Sequence, residues 1–197
     1  MSSDRKERPI LMSAPMVRAI LGGTKTQTRR VVKYAAPDLV DADGWPLRDE
    51  SESGGGEVRA GCPYGQPGDR LWVRETFMDL GACYLYRADQ SAERERAIVA
   101  PGQRWKPAIH MPRAASRIAL EITAVRVERL QDITEADALA EGIVRLNDGG
   151  YGLPDGSHYH HTDPRVSYWS LWDAINGQGV TATDPWVWAI SFQRVQP

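Results

Sequence analysis

Between Trp186 and Val195 bulky residues alternate with smaller ones, so that Trp186, Trp188, Ile190 and Phe192 share one side of an extended strand. That aromatic surface must close a core, since burying one large apolar side chain contributes about 1.5–3 kcal/mol. A second alternation, Ile118, Leu120, Ile122 and Ala124, slips by one position to Val125 and Val127, which predicts a β-bulge near Ala124. Residues 26–33, 70–76 and 82–88 also read as strands.

Helices are few and short. Ser13 and Pro15 open one, Val17, Ile20 and Leu21 give it an apolar face, and Gly22-Gly23 close it. Thr134-Glu135-Ala136-Asp137 resembles a capping box with Asp in place of Glu, starting a helix that Gly142 ends. A third spans residues 164–175 and stops at Asn176-Gly177. This order predicts an α+β fold: a small, partly open β-barrel with short flanking helices, not a parallel βαβ sheet.

Residues 1–8 read as a flexible terminus, and residues 9–197 as one domain. Residues 38–57 carry seven acids against the single base Arg48, with three consecutive glycines, so a long acidic loop is expected at about 35–66. Apolar residues at 42% and charged residues at 25% exclude a disordered chain. No apolar run approaches the roughly 20 residues that span a bilayer, and a membrane partner is not expected. Cys62 and Cys83 make no disulfide framework, which together with the missing signal peptide suggests the cytoplasm.

The net charge of −2 is not that of a bulk nucleic-acid coater, but its distribution is uneven. Residues 16–33 hold Arg18, Lys25, Arg29, Arg30 and Lys33 with no acid, and residues 97–120 hold Arg104, Lys106, Arg113 and Arg117, equally unopposed. Within the first segment, Gly23-Thr24-Lys25-Thr26-Gln27-Thr28-Arg29-Arg30 can hold an anion, or can place a lysine beside a hydroxyl for acyl chemistry. In an extended strand, residues three apart face opposite ways, so Lys25 meets Thr28 only if Lys25 lies in the bend after Gly22-Gly23.

Gly23-x-Lys25-x-x-Thr28-x-Arg30, then Gly68-Asp69-Arg70-Leu71-Trp72-Val73-Arg74-Glu75, then Ile133-Thr134-Glu135 with Ala140-Glu141-Gly142, resemble the ASCH domain in order and spacing. That resemblance implies a PUA-like barrel over most of residues 9–195, in a long form similar to versions carried by phages and prophages. Many family members have Glu where this chain has Thr28. The small ASCH enzymes that deacetylate N4-acetylcytidine have Thr there, which implies Lys25, Thr28 and Glu141 as the catalytic set.

Threonine needs a neighbouring base to attack an amide, and a partly desolvated lysine is one. Glu141 is expected to protonate the departing amine, since the end of a helix disfavours a carboxylate by about 0.3–1 kcal/mol and so favours its acid form. Arg30, with Arg29 and Thr26, is expected to bind substrate. Trp105 with Lys106 and Arg113 suits base stacking on a nucleoside or RNA. Tyr168, Trp169 and Trp172, at helical spacing, read as core.

His158-Tyr159-His160-His161 matches no zinc spacing and reads as a polar loop, and no cofactor motif is present, so neither metal nor organic cofactor is expected. The activity expected is hydrolysis of an N4-acylated cytidine, with a non-catalytic RNA or modified-base module as the alternative. A ribonuclease, a role attributed to some family members, comes third.

Overall fold

The structure, a computed structural model, describes residues 5–33, 47–49, 57–59, 61–90 and 103–196. Its strands are β1 (Glu7–Leu11), β2 (Gln27–Val31), β3 (Leu47–Asp49), β4 (Glu57–Arg59), β5 (Arg70–Arg74), β6 (Phe77–Asp79), β7 (Tyr84–Tyr86), β8 (Ala119–Arg129), β9 (Val144–Arg145), β10 (Tyr151–Gly152) and β11 (Trp186–Val195). Its helices are α1 (Ala14–Leu21), α2 (Glu135–Ala140) and α3 (Pro164–Asn176).

A five-stranded sheet in the order β1-β5-β8-β11-β2 organises this mixed α+β molecule. Strand β1 runs parallel to β5, and every other neighbouring pair is antiparallel. The edges β1 and β2 do not pair, so the sheet is not a closed barrel. A side chain joins them instead: Arg30 Nη2 on β2 donates to the Leu11 carbonyl on β1 at 2.8 Å.

The central pair β8–β11 holds the bulge. Ser191 faces Ala124 while Phe192 faces Ile122, leaving Thr123 as the extra residue where the apolar alternation slips. One core cluster gathers Ile10, Leu71, Val73, Leu120, Ile122, Trp188, Ile190 and Phe192 with Val17 and Ile20 of α1. A second joins Val187 to Leu130, Ile133, Ala138 of α2, and Tyr168 and Trp172 of α3. Strand β11 is therefore buried on two sides, whereas its alternation pointed to one aromatic face.

Local chemistry sets the helix ends. Thr134 Oγ1 accepts from the Asp137 amide at 3.1 Å, a cap worth about 1 kcal/mol. Asp163 Oδ1 accepts from the Arg165 amide at 2.8 Å at the start of α3, and Gly177 follows its last residue. Ser13 is extended but makes no side-chain cap bond, leaving Pro15 to favour the first turn of α1.

Order begins earlier than Pro9. Glu7 and Arg8 already pair with Arg70 and Leu71, and Asp69 ties this polar start down by accepting from the Lys6 amide at 3.2 Å and from Arg8 Nη1 at 3.0 Å. Of the expected acidic loop, residues 35–46, 50–56 and 60 lie outside the described residues; within it, β3 and β4 form an antiparallel pair. Strand β5 stops at Arg74, and β6 with β7 forms a separate two-stranded ladder. Among the described residues, no helix is long and apolar enough to cross a membrane.

Candidate functional site

Helix α1 delivers the chain to the site through Gly22 and Gly23, the latter at φ +77°. The Lys25 amide then donates to the Ala19 carbonyl at 3.1 Å, and the Thr26 amide to the Ala140 carbonyl at 2.8 Å. Lys25 and Glu141 thereby form an isolated antiparallel bridge between the start of β2 and the end of α2. Gly142 makes this approach feasible: its φ is +103°, and a Cβ there would lie 3.3 Å from Ala19 Cβ and 3.5 Å from Lys25 Cβ.

From that bridge the side chains converge. Lys25 Nζ donates to Glu141 Oε2 at 2.6 Å and to the Glu141 carbonyl at 2.9 Å. Both side chains are removed from water, with 0% and 3% exposure. Arg29 Nη1 donates to Glu141 Oε1 at 3.3 Å and to Gln27 Oε1 at 2.7 Å, and its Nε to Glu128 Oε1 at 2.8 Å. Its Nη2 lies 2.6 Å from Glu128 Oε1 and 3.2 Å from Asp137 Oδ2, at ion-pair distance but without a directed hydrogen bond. Arg126 binds Glu128 and Asp137 in turn, at 2.8 and 2.7 Å. The three cations Lys25, Arg29 and Arg126 thus balance the three acids Glu128, Asp137 and Glu141.

Burial pushes the Lys25 ammonium below its ordinary value, with the Glu141 carboxylate opposing the change. Tyr168 donates its hydroxyl to Glu141 Oε1 at 3.4 Å, and its ring lies 5.9 Å from the Arg29 guanidinium. Burial first, and then Glu141, push the Tyr168 phenol well above its usual range, so it remains a donor.

Thr28 belongs to the other side of β2. Gln27 and Arg29 bond each other on the face of Glu141, while Thr28 Oγ1 accepts from Arg30 Nη1 at 3.0 Å. Thr28 is fully buried, opposite Ile190 in the ladder. The structure therefore brings Lys25 to Glu141 and Thr28 to Arg30, with no hydrogen bond between Lys25 and Thr28.

A cleft of about 490 Å³ opens here, lined by Arg29, Arg30, Lys33, Glu141, Tyr168 and Trp172 among others. Its size falls in the range of about 300–1,000 Å³ usual for small-molecule sites. Lys25 and Thr28 do not line it, and reach it through Glu141 and Arg30. Thr26 is exposed and uses its backbone, donating to Ala140 and accepting from the Phe192 amide at 2.9 Å.

The stacking segment stands apart. Its Ala108 lines the cleft, but Trp105, Lys106 and Arg113 do not. The Lys106 backbone bridges to Phe77 and its ammonium lies 3.4 Å from Asp79, while Arg113 grips Glu7 at 2.8 and 2.9 Å. Trp105 is half-buried, and its indole Nε1 has no partner among the described residues.

Tyr168 and Trp172 are core residues, as their spacing indicated, but they also form a wall of the cleft. No sequence signal marked this second role. In the histidine tract, His158 Nδ1 lies 3.0 Å from Ser170 Oγ and His160 Nδ1 accepts from the Asp163 amide at 3.0 Å. No cluster of three or more His, Cys, Asp and Glu suited to a metal ion occurs among the described residues.

No protein-family model matches the chain, and no curated protein matches it. A solved structure, the crystal structure of protein EF3133 from Enterococcus faecalis V583, family-model DUF984, is similar at 10% sequence identity over 100% of this chain and 84% of that one, with a TM-score of 0.41. A likeness of that degree carries no conclusion about function.

Proposed function

We propose that this is a nucleoside- or RNA-binding protein of the ASCH type, with a PUA-like barrel, that hydrolyses the amide of N4-acylated cytidine to cytidine. The observation that carries this reading is the Lys25–Glu141 pair, 2.6 Å apart, out of water, with Glu141 on the wall of the cleft. A lysine whose ammonium is disfavoured by burial is suited to accept a proton.

The scheme requires β2 to turn locally so that Thr28 leaves Arg30 and reaches the side of Lys25; its Oγ then bonds to the acyl carbon, while the bond from that carbon to N4 breaks. The Lys25 ammonium first passes a proton to the Glu141 carboxylate across their 2.6 Å contact, leaving a free amine and a carboxylic acid. The hydroxyl proton then passes to Lys25, and Glu141 gives its proton to the departing amine. Water then adds to the threonine ester, returns a proton through the same pair, and releases the carboxylic acid with Thr28 restored. Arg30 orients the substrate, and no metal or organic cofactor enters.

Incubation with N4-acetylcytidine tests this, with cytidine release followed by chromatography for wild type, Lys25→Ala and Thr28→Ala. Release by wild type alone is expected. No release by wild type removes the substrate, and release unchanged by both substitutions removes the mechanism. One observation favours the non-catalytic module instead: Thr28 is fully buried under Arg30. On that reading the base is bound and not cleaved, and binding survives Thr28→Ala.

A further inference from the structure

The cleft presents more positive charge than its own acids neutralise. Its lining has three cations, Arg29, Arg30 and Lys33, and one acid, Glu141. Arg29 and Glu141 are consumed in the buried network described above, where positive and negative groups cancel. Arg30 and Lys33 remain. Among the described residues, the acceptors around Arg30 are all uncharged: Thr28 Oγ1 at 3.0 Å, the Arg29 carbonyl at 3.0 Å, the Leu11 carbonyl at 2.8 Å and Met12 Sδ at 3.8 Å. Lys33 is exposed and has no carboxylate partner among the described residues.

We infer that Arg30 and Lys33 form a phosphate subsite at the mouth of the cleft, which takes the 5′-phosphate of a pyrimidine nucleotide whose base lies toward Glu141 and Tyr168. This deepens the proposed function, and rests on it for the placement of the base. A phosphate offers the guanidinium an opposite charge and a bidentate pair of oxygens that a hydroxyl and two carbonyls lack, so it competes well for Arg30. Strand β2 ends at Val31, so its alternation does not carry on to Lys33, and Arg30 and Lys33 both line the cleft, where one phosphate can meet both. A neutral nucleoside would leave both cations without a counter-charge among the described residues.

Calorimetric titration of the whole chain with cytidine, cytidine 5′-monophosphate and inorganic phosphate tests the subsite without requiring turnover. The monophosphate is expected to bind at least about tenfold more tightly than cytidine or phosphate alone, an advantage of about 1.4 kcal/mol that shrinks as salt rises. Lys33→Gln, at an exposed position and with its melting temperature checked, is expected to bring the monophosphate-to-cytidine ratio toward one. Equal affinity for cytidine and the monophosphate overturns the subsite, as does a ratio unchanged by Lys33→Gln in a folded variant. Phosphate binding as tightly as the monophosphate overturns the nucleotide class. Failure to hydrolyse N4-acetylcytidine while the ratio holds removes the hydrolase reading and leaves the subsite standing.

Discussion

Lys25 and Glu141 meet twice, once through a backbone bridge and once through an ion pair of 2.6 Å, although 116 positions separate them. The backbone contact matters to the charges. It fixes where the ammonium and carboxylate stand before they pair, so neither needs to search for the other. Desolvating two such groups costs several kcal/mol each, which only close geometry and further hydrogen bonds offset. Arg29 and Tyr168 supply the latter to Glu141.

Lys25→Met or Glu141→Leu alone leaves an uncompensated charge in the interior. Each is expected to lower stability by about 3–5 kcal/mol, and the double variant by clearly less than the sum. Urea unfolding measures this; single losses below about 1 kcal/mol would show that water reaches the pair.

Gly142→Ala adds a methyl group at φ +103°, 3.3 Å from Ala19 Cβ and 3.5 Å from Lys25 Cβ. Gly68→Ala meets a comparable φ of +91° with open space around it. Strain of about 1–3 kcal/mol is shared by both, and the clash belongs to the first alone. The Gly142 variant is expected to be the less stable in denaturant melts, and the opposite order would refute the close approach.

Asp137 gives a pH prediction. Burial raises its carboxyl, but hydrogen bonds from Arg126 and Thr134 and the charge of Arg29 outweigh this and hold it below its ordinary value of 3.8. The unfolded chain therefore takes up the proton first on acidification. The contribution of Asp137 is complete above pH about 4 and is lost as pH falls through the folded value. Melting curves of wild type and Asp137→Asn should converge as the pH is lowered, and a constant gap would contradict this.

Thr28 is tested by keeping or removing its hydroxyl. Thr28→Ser is expected to retain cytidine release within about tenfold of wild type, while Thr28→Ala abolishes it. Comparable activity in the alanine variant would assign the attacking oxygen elsewhere.

The strands and helices with strong periodicity were legible beforehand. The slip at Ala124, the Thr134 cap and the span Trp186–Val195 each leave a local signature that needs no distant partner. Strand β1 left none at its polar start, because Glu7 and Arg8 are held by ladder bonds to β5 and by Asp69. The separation of Lys25 from Thr28 was implicit in strand parity, since odd positions face Glu141 and even ones Arg30. Arg29 looked like a ligand-binding cation, and only the three-dimensional arrangement shows it gripped by Glu128, Asp137 and Glu141. Cation-rich sequence around Trp105 said nothing of the acids, Asp79 and Glu7, that Lys106 and Arg113 meet in space.

Strand β2 has a single neighbour in the main sheet, β11, and Gln27 Nε2 reaches Ser191 Oγ across 164 positions of chain. A ribosome makes β2 long before its neighbour. Until β11 emerges, the segment bearing Lys25, Thr28 and Arg30 has no ladder to join, and its cations are open to any polyanion nearby. Assembly of the candidate site therefore waits for β11, and nascent chains stalled before Trp186 should carry this segment unprotected.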